Sequence, residues 1–164
     1  MGVGPLDASS GIDVWLRVVH AVRATAPDVS ALWLRAEGEP ADERFLDAIT
    51  HERWHLGLDD VIEFVEPQRR DALAVAPTAT ATVVTVTQRP PVGGGAVDSG
   101  SWATAVTFAR AAGAKVVGFR GAGAPAPDAR EGVEVELIDY PDAAALAAAS
   151  TAALGVAGPL VTRR

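Results

Sequence analysis

Two periods alternate along the chain. Apolar residues recur at helical spacing in "IDVWLRVVHAVRAT", where Trp15, Val18, Val19 and Val22 share a face before Pro27 stops the pattern. "SALWLRA" is then a short apolar run of strand length. The pair repeats: "ADERFLDAITHERWH" carries Phe45, Leu46, Ile49 and Trp54 at helical spacing with Trp54 packed inward, Gly57 closes it, and "VIEFV" is the next strand. "QRRDALAVA" reads as a short helix, "TATVVTVT" as a strand rich in β-branched residues, and "SWATAVTFARAAG" as a helix capped by Ser101 and closed by Gly113. "KVVGF" is a buried strand, followed by a Gly/Pro/Ala stretch, the strand "VEVELI" and an alanine-rich terminal helix.

Strands separated by helices of about 10 to 15 residues imply a mostly parallel sheet covered on both faces. The predicted fold class is α/β, a single Rossmann-like domain over residues 1–164 with about five strands and helices on both faces. Two segments, 89–100 ("RPPVGGGAVDSG") and 120–130 ("RGAGAPAPDAR"), follow strands. Both are expected at one edge of the sheet, where open α/β folds bind ligands beyond the carboxyl ends of the strands.

Composition narrows the function classes. At 164 residues and 49% apolar content the chain suits one domain that buries roughly 70% of its unfolded surface. The formal charge is −7, and the cations are Lys115 and thirteen arginines, so no basic face is expected to track nucleic acid. The absence of cysteine removes disulfides, thiolate metal sites and cysteine nucleophiles together. "MGVGPLDASSG" lacks the regions of a signal peptide, and Gly155, Gly158 and Pro159 break the longest apolar stretch. The expectation is a soluble cytoplasmic protein with no membrane span.

"HERWH" (51–55) has the spacing of a zinc protease site, with His51 and His55 one helical turn apart and Glu52 as the general base. The surroundings argue against zinc. Gly57 ends the helix two residues later, and Leu58 and Val61 stand where the extended motif asks for glycine and histidine. No metal and no cofactor is expected.

The order of segments is more specific. "LGLDDVIEFVEPQRRDALAVAPTATATVVTVT" followed by "SWATAVTFARAAGAKVVGFRGAGAPA" resembles the C-terminal, nucleotide-sugar-binding domain of retaining GT-B glycosyltransferases of the group 1 type. "SSGIDVWLRVVHAVRATAPDVSALWLRAEGE" is similar to that family's "KG-D" helix and the strand after it. The resemblance runs from about Gly4 to Leu154.

It implies a nucleotide sugar as ligand, with the diphosphate at the Ser101 helix start and the base near Glu66 and Pro67. Gly94, Gly95, Asp98, Ser99, Gly100, Ser101 and Trp102 are the candidate binding residues of the following loop and helix, the glycines admitting close approach and Trp102 offering a ring. The family's two acids, eight positions apart, fall on Gly100 and Phe108, and its diphosphate lysine falls on Ser10. None of the three supplies the family's charge, so no catalytic residue is assigned. A GT-B enzyme closes its cleft between two Rossmann-like domains and this chain has room for one. The resemblance therefore implies either a donor half, partnered by a second GT-B domain, or a non-catalytic partner of a glycosyltransferase subunit. "DSGSWATAVTFARAAGAKVVGF" is also similar to a segment of nucleoside deoxyribosyltransferases through Asp98, Gly100 and Lys115, with Thr104 at the position of the nucleophilic glutamate.

Overall fold

The computed structural model describes residues 1–35, 43–65, 82–89, 100–120, 124 and 132–155. In chain order these form β1 (Gly2–Gly4), α1 (Ile12–Arg23), β2 (Ala31–Arg35), α2 (Glu43–His55), β3 (Ile62–Val65), β4 (Val83–Val86), α3 (Gly100–Ala112), β5 (Lys115–Phe119), β6 (Val135–Ile138) and α4 (Ala143–Ala153). The six strands form one sheet in the order β3-β2-β1-β4-β5-β6, and every neighbouring pair is parallel. The α/β class and the parallel sheet agree with the sequence reading, with one strand more than the five expected. The predicted helix 68–76 lies outside the described residues.

Alternation along the strands sorts their side chains to two faces. Val3, Leu34, Val65, Val84, Val86 and Val116 face one side and pack with Trp102, Ala105, Phe108 and Ala109 of α3. On the other side, Ala31, Trp33 and Ile62 meet Ile12, Trp15, Leu16 and Val19 of α1 and Ile49 of α2. Val83, Val117 and Phe119 meet Val18 and Val22 of α1 and Leu146 of α4. The helical pattern that gave α1 one apolar face has thus placed it across the middle of the sheet.

The additional strand is β1, which sits at the centre. Its sequence, Gly-Val-Gly, has almost no intrinsic strand preference. Packing explains it: Trp15 and Trp33 meet edge to face with ring centroids 5.1 Å apart, and a Cβ on Gly2 would lie 2.6 Å from Trp15 Nε1. Only a residue without a side chain lets the two rings close over the strand. Trp33 Nε1 then donates to Gly4 O at 3.2 Å, which satisfies the buried indole.

Two local expectations are corrected. Trp54 is 66% exposed rather than packed inward, because α2 buries only Ile49 completely and the tryptophan lies against His51 on the outer side, with ring centroids 6.0 Å apart. Ser101 does not cap α3 from outside, since the helix already begins at Gly100 and the Ser101 hydroxyl lies within its first turn.

Candidate binding crevice

β1 and β4 are neighbours in space although β2 and β3 intervene in sequence, so strand order reverses between them. In open α/β sheets the crevice forms at the carboxyl ends on either side of such a reversal. The groups that converge there come from the turn after β1, the residues after β4 and the start of α3.

The turn after β1 is held by its own polar side chains. Asp7 Oδ1 accepts from Ser9 N at 2.7 Å, Ser9 Oγ at 2.6 Å and Ser10 N at 3.2 Å. Ser10 Oγ donates to Asp7 O at 2.7 Å and accepts from Ile12 N at 3.3 Å. Ser10, which takes the family's lysine position in the resemblance, is therefore committed to the turn and 1% exposed. Gly11 then enters α1 with φ of 67°, and a Cβ there would collide with the carbonyl oxygen of Thr87. Bare backbone at Gly11 is what lets this turn lie directly against the end of β4.

The contact is stitched by hydrogen bonds. Thr87 Oγ1 donates to Ser10 O at 3.0 Å and Arg89 N donates to Ser9 O at 2.8 Å. Arg89 reaches across to α1, where Nη2 meets Asp13 Oδ2 at 2.5 Å. Gln88 Oε1, Arg89 Nε and Ser101 Oγ are buried without a hydrogen-bond partner among the described residues. Ser101 is fully buried, and its hydroxyl lies 3.6 Å from where a Cβ on Gly4 would stand, so it faces the same turn. Unpaired buried polar groups are costly and rare away from sites that a ligand or water completes.

Gly100, Ser101 and Trp102 form the first turn of α3. Trp102 is 1% exposed with its ring over Gly118 of β5, 2.7 Å from where a Cβ would stand, so the indole is core and has no open face toward the crevice. Glu66, Pro67, Gly94, Gly95, Asp98 and Ser99 lie outside the described residues. Phe108, at the second acid position of the resemblance, is 2% exposed and packed among Val84, Val86 and Val116. Gln88, Arg89 and Asp13 are the crevice groups the sequence reading missed. The signal for the first two was their place, polar residues directly after a β-branched strand.

Other candidate chemistry lies elsewhere. His51 and His55 are exposed near the end of α2, and no group of three potential metal ligands is found among the described residues. Lys115 sits at the amino end of β5, the edge of the sheet opposite the crevice, 2.8 Å from Glu134 Oε1 and 2.8 Å from Glu136 Oε2. Hydrogen bonds to Glu134 and then Glu136 raise its pKa above the ordinary lysine value. No described helix is long and apolar enough to cross a membrane.

No protein-family model matches the chain, and no curated protein matches it in sequence. Solved structures match it in fold. The C-terminal domain of a glycosyl transferase group 1 family protein (LpcC) from Francisella tularensis superposes with a TM-score of 0.63 at 16% identity, over 90% of this chain and 71% of that one. The chain has the fold of a GT-B glycosyltransferase C-terminal domain. HepE of Anabaena, solved in complex with UDP and glucose, matches with a TM-score of 0.61 at 20% identity over 92% of this chain. A UDP-forming α,α-trehalose-phosphate synthase from Burkholderia vietnamiensis matches with a TM-score of 0.62 at 20% identity over 96% of this chain. This GT-B-like chain spans 38% of the length of HepE and 36% of that of the synthase.

Proposed function

We propose that the chain is the nucleotide-sugar-binding half of a GT-B glycosyltransferase in degenerate form, binding its donor weakly and not transferring sugar by itself. The observation that carries the reading is the convergence of the Asp7–Gly11 turn, the residues after β4 and the buried Ser101 hydroxyl at the β1/β4 reversal. The likeness in fold to a protein solved with UDP and glucose supports it.

The non-catalytic alternative, a partner of a separate glycosyltransferase subunit, is favoured by Phe108 and Ser10. One is buried in the core and the other is spent on the turn, so neither presents charge to a ligand. In both readings the second Rossmann-like domain that completes a GT-B cleft comes from outside residues 1–164.

The resemblance gives the ribose hydroxyls to the acid whose position Phe108 occupies, and loss of that carboxylate alone costs about 1.5 to 3 kcal/mol by the scale of charged hydrogen bonds. UDP- and GDP-sugars are therefore expected to bind the chain no more tightly than about millimolar, with no detectable donor hydrolysis. Calorimetry against a panel of nucleotide sugars, with and without magnesium, tests this. Micromolar binding abolished by Ser101→Ala would show a fully working donor site, and no saturable binding of any nucleotide sugar at tens of millimolar would remove the donor-half reading.

A further inference from the structure

We infer that Arg89 is an anion-binding residue of the crevice, held ready by Asp13 to meet a diphosphate from β4 in place of the cations absent from the turn after β1. The inference rests on the nucleotide-sugar reading of the crevice and names the group that would meet the ligand's charge.

The backbone at Arg89 is fixed at the strand reversal by the bond from its N–H to Ser9 O at 2.8 Å. From there the side chain crosses to the first turn of α1, where Asp13 Oδ2 takes Nη2 at 2.5 Å. A guanidinium is a planar fork of five donors suited to two-point contact with phosphate. Here Nε is buried and has no partner among the described residues, while 41% of the side chain remains exposed. The contact to Asp13 orients the fork and leaves part of it open to an anion.

Ser101 supplies the second half of the argument. Its hydroxyl is fully buried, unpartnered among the described residues and turned toward Gly4. It stands in the first turn of the 13-residue helix α3, whose positive dipole end favours negative charge. A diphosphate would place one phosphoryl group at the Arg89 fork and the other at the start of α3. By contrast Arg120, the cation after β5, donates from Nε to Asp139 Oδ1 at 2.8 Å and from Nη2 to Leu137 O at 3.5 Å, on the β6 side.

Asp13 orients Arg89 and also competes with any anion for it. Removing the carboxylate's charge while keeping its shape should therefore strengthen anion binding, an outcome that a purely structural pair would not give.

The test is a titration of the folded chain with inorganic pyrophosphate, UDP, UDP-glucose and uridine, followed by amide resonances. Wild type is compared with Arg89→Ala, Arg89→Lys and Asp13→Asn. Arg89→Ala is expected to weaken pyrophosphate and UDP at least fivefold, Arg89→Lys to weaken them less, and Asp13→Asn to strengthen them at least twofold, with uridine unchanged throughout. Pyrophosphate affinity within twofold of wild type in a folded Arg89→Ala chain would overturn the inference. So would an Asp13→Asn chain that binds as weakly as Arg89→Ala. Should Arg89→Ala not fold, the lysine and asparagine variants decide alone, and equal affinity across both would count against the role. UDP-glucose binding indifferent to Arg89 would sink this inference and leave the donor-half reading standing. Arg89-dependent pyrophosphate binding, with UDP-glucose no tighter than pyrophosphate, would do the reverse.

Discussion

A single atom decides the geometry at Gly11. The left-handed conformation costs a residue with a side chain about 1 kcal/mol, and here the added carbon would also strike the Thr87 carbonyl. Gly11→Ala is expected to lower stability by more than about 2 kcal/mol, read as a drop in the urea midpoint at unchanged slope; a loss below 0.5 kcal/mol would mean that the turn moves aside at little cost. Phe108 poses the opposite problem, because the family resemblance places a carboxylate where the fold has put a core ring. Phe108→Glu would bury an unpaired charge among Val84, Val86 and Val116. The variant should lose at least about 3 kcal/mol and gain no nucleotide affinity. A folded variant that binds UDP more tightly than wild type would show that this side chain can turn into the crevice. The sequence announced the missing charges at Ser10 and Phe108. Arg89 was legible only by its place after a strand, because its meaning depends on Ser9 and Asp13, the aspartate being brought to it from 76 residues away.

At the scale of elements, legibility followed how far each pattern was local. α1 carried one apolar face and an uninterrupted helical period, and it formed as expected between Ile12 and Arg23. β1 was invisible because its three residues become a strand only when Trp15 and Trp33 close over Gly2. α2 misled for the same reason in reverse. Trp54 lies at helical spacing, yet α1 and β2 already fill that side of the core with tryptophans 15 and 33, and the third is left outside. The two positions should therefore respond very differently to truncation. Trp54→Ala is expected to change stability by less than about 0.5 kcal/mol, while Trp33→Ala should cost about 3 to 5 kcal/mol. Thermal and urea unfolding of the pair checks this, and a large loss at Trp54 would indicate a packing partner for that ring.

For the molecule as a whole, the centre of the sheet couples to an ionisable group. In a chain that begins at Met1, its amine continues β1, donating to Val83 O at 2.6 Å while Met1 O accepts from Thr85 N at 2.7 Å, so a terminal amino group lies between central strands. Burial lowers its pKa from the ordinary 8.0 to about 5. Between those values the unfolded chain holds a proton that the folded chain has released. Stability must therefore rise with pH across that window: it is greatest above 8, declines as the pH falls toward 5, and levels off below. At about 1.4 kcal/mol per pH unit, the whole window is worth at most about 4 kcal/mol for the chain that begins at Met1. Acetylation of the amine removes the charge from both states, and the histidines, common to both chains, cancel in the comparison. Urea unfolding from pH 5 to 8 should show a steeper gain in stability for the free amine than for the acetylated chain, and parallel curves would mean that the ammonium reaches solvent.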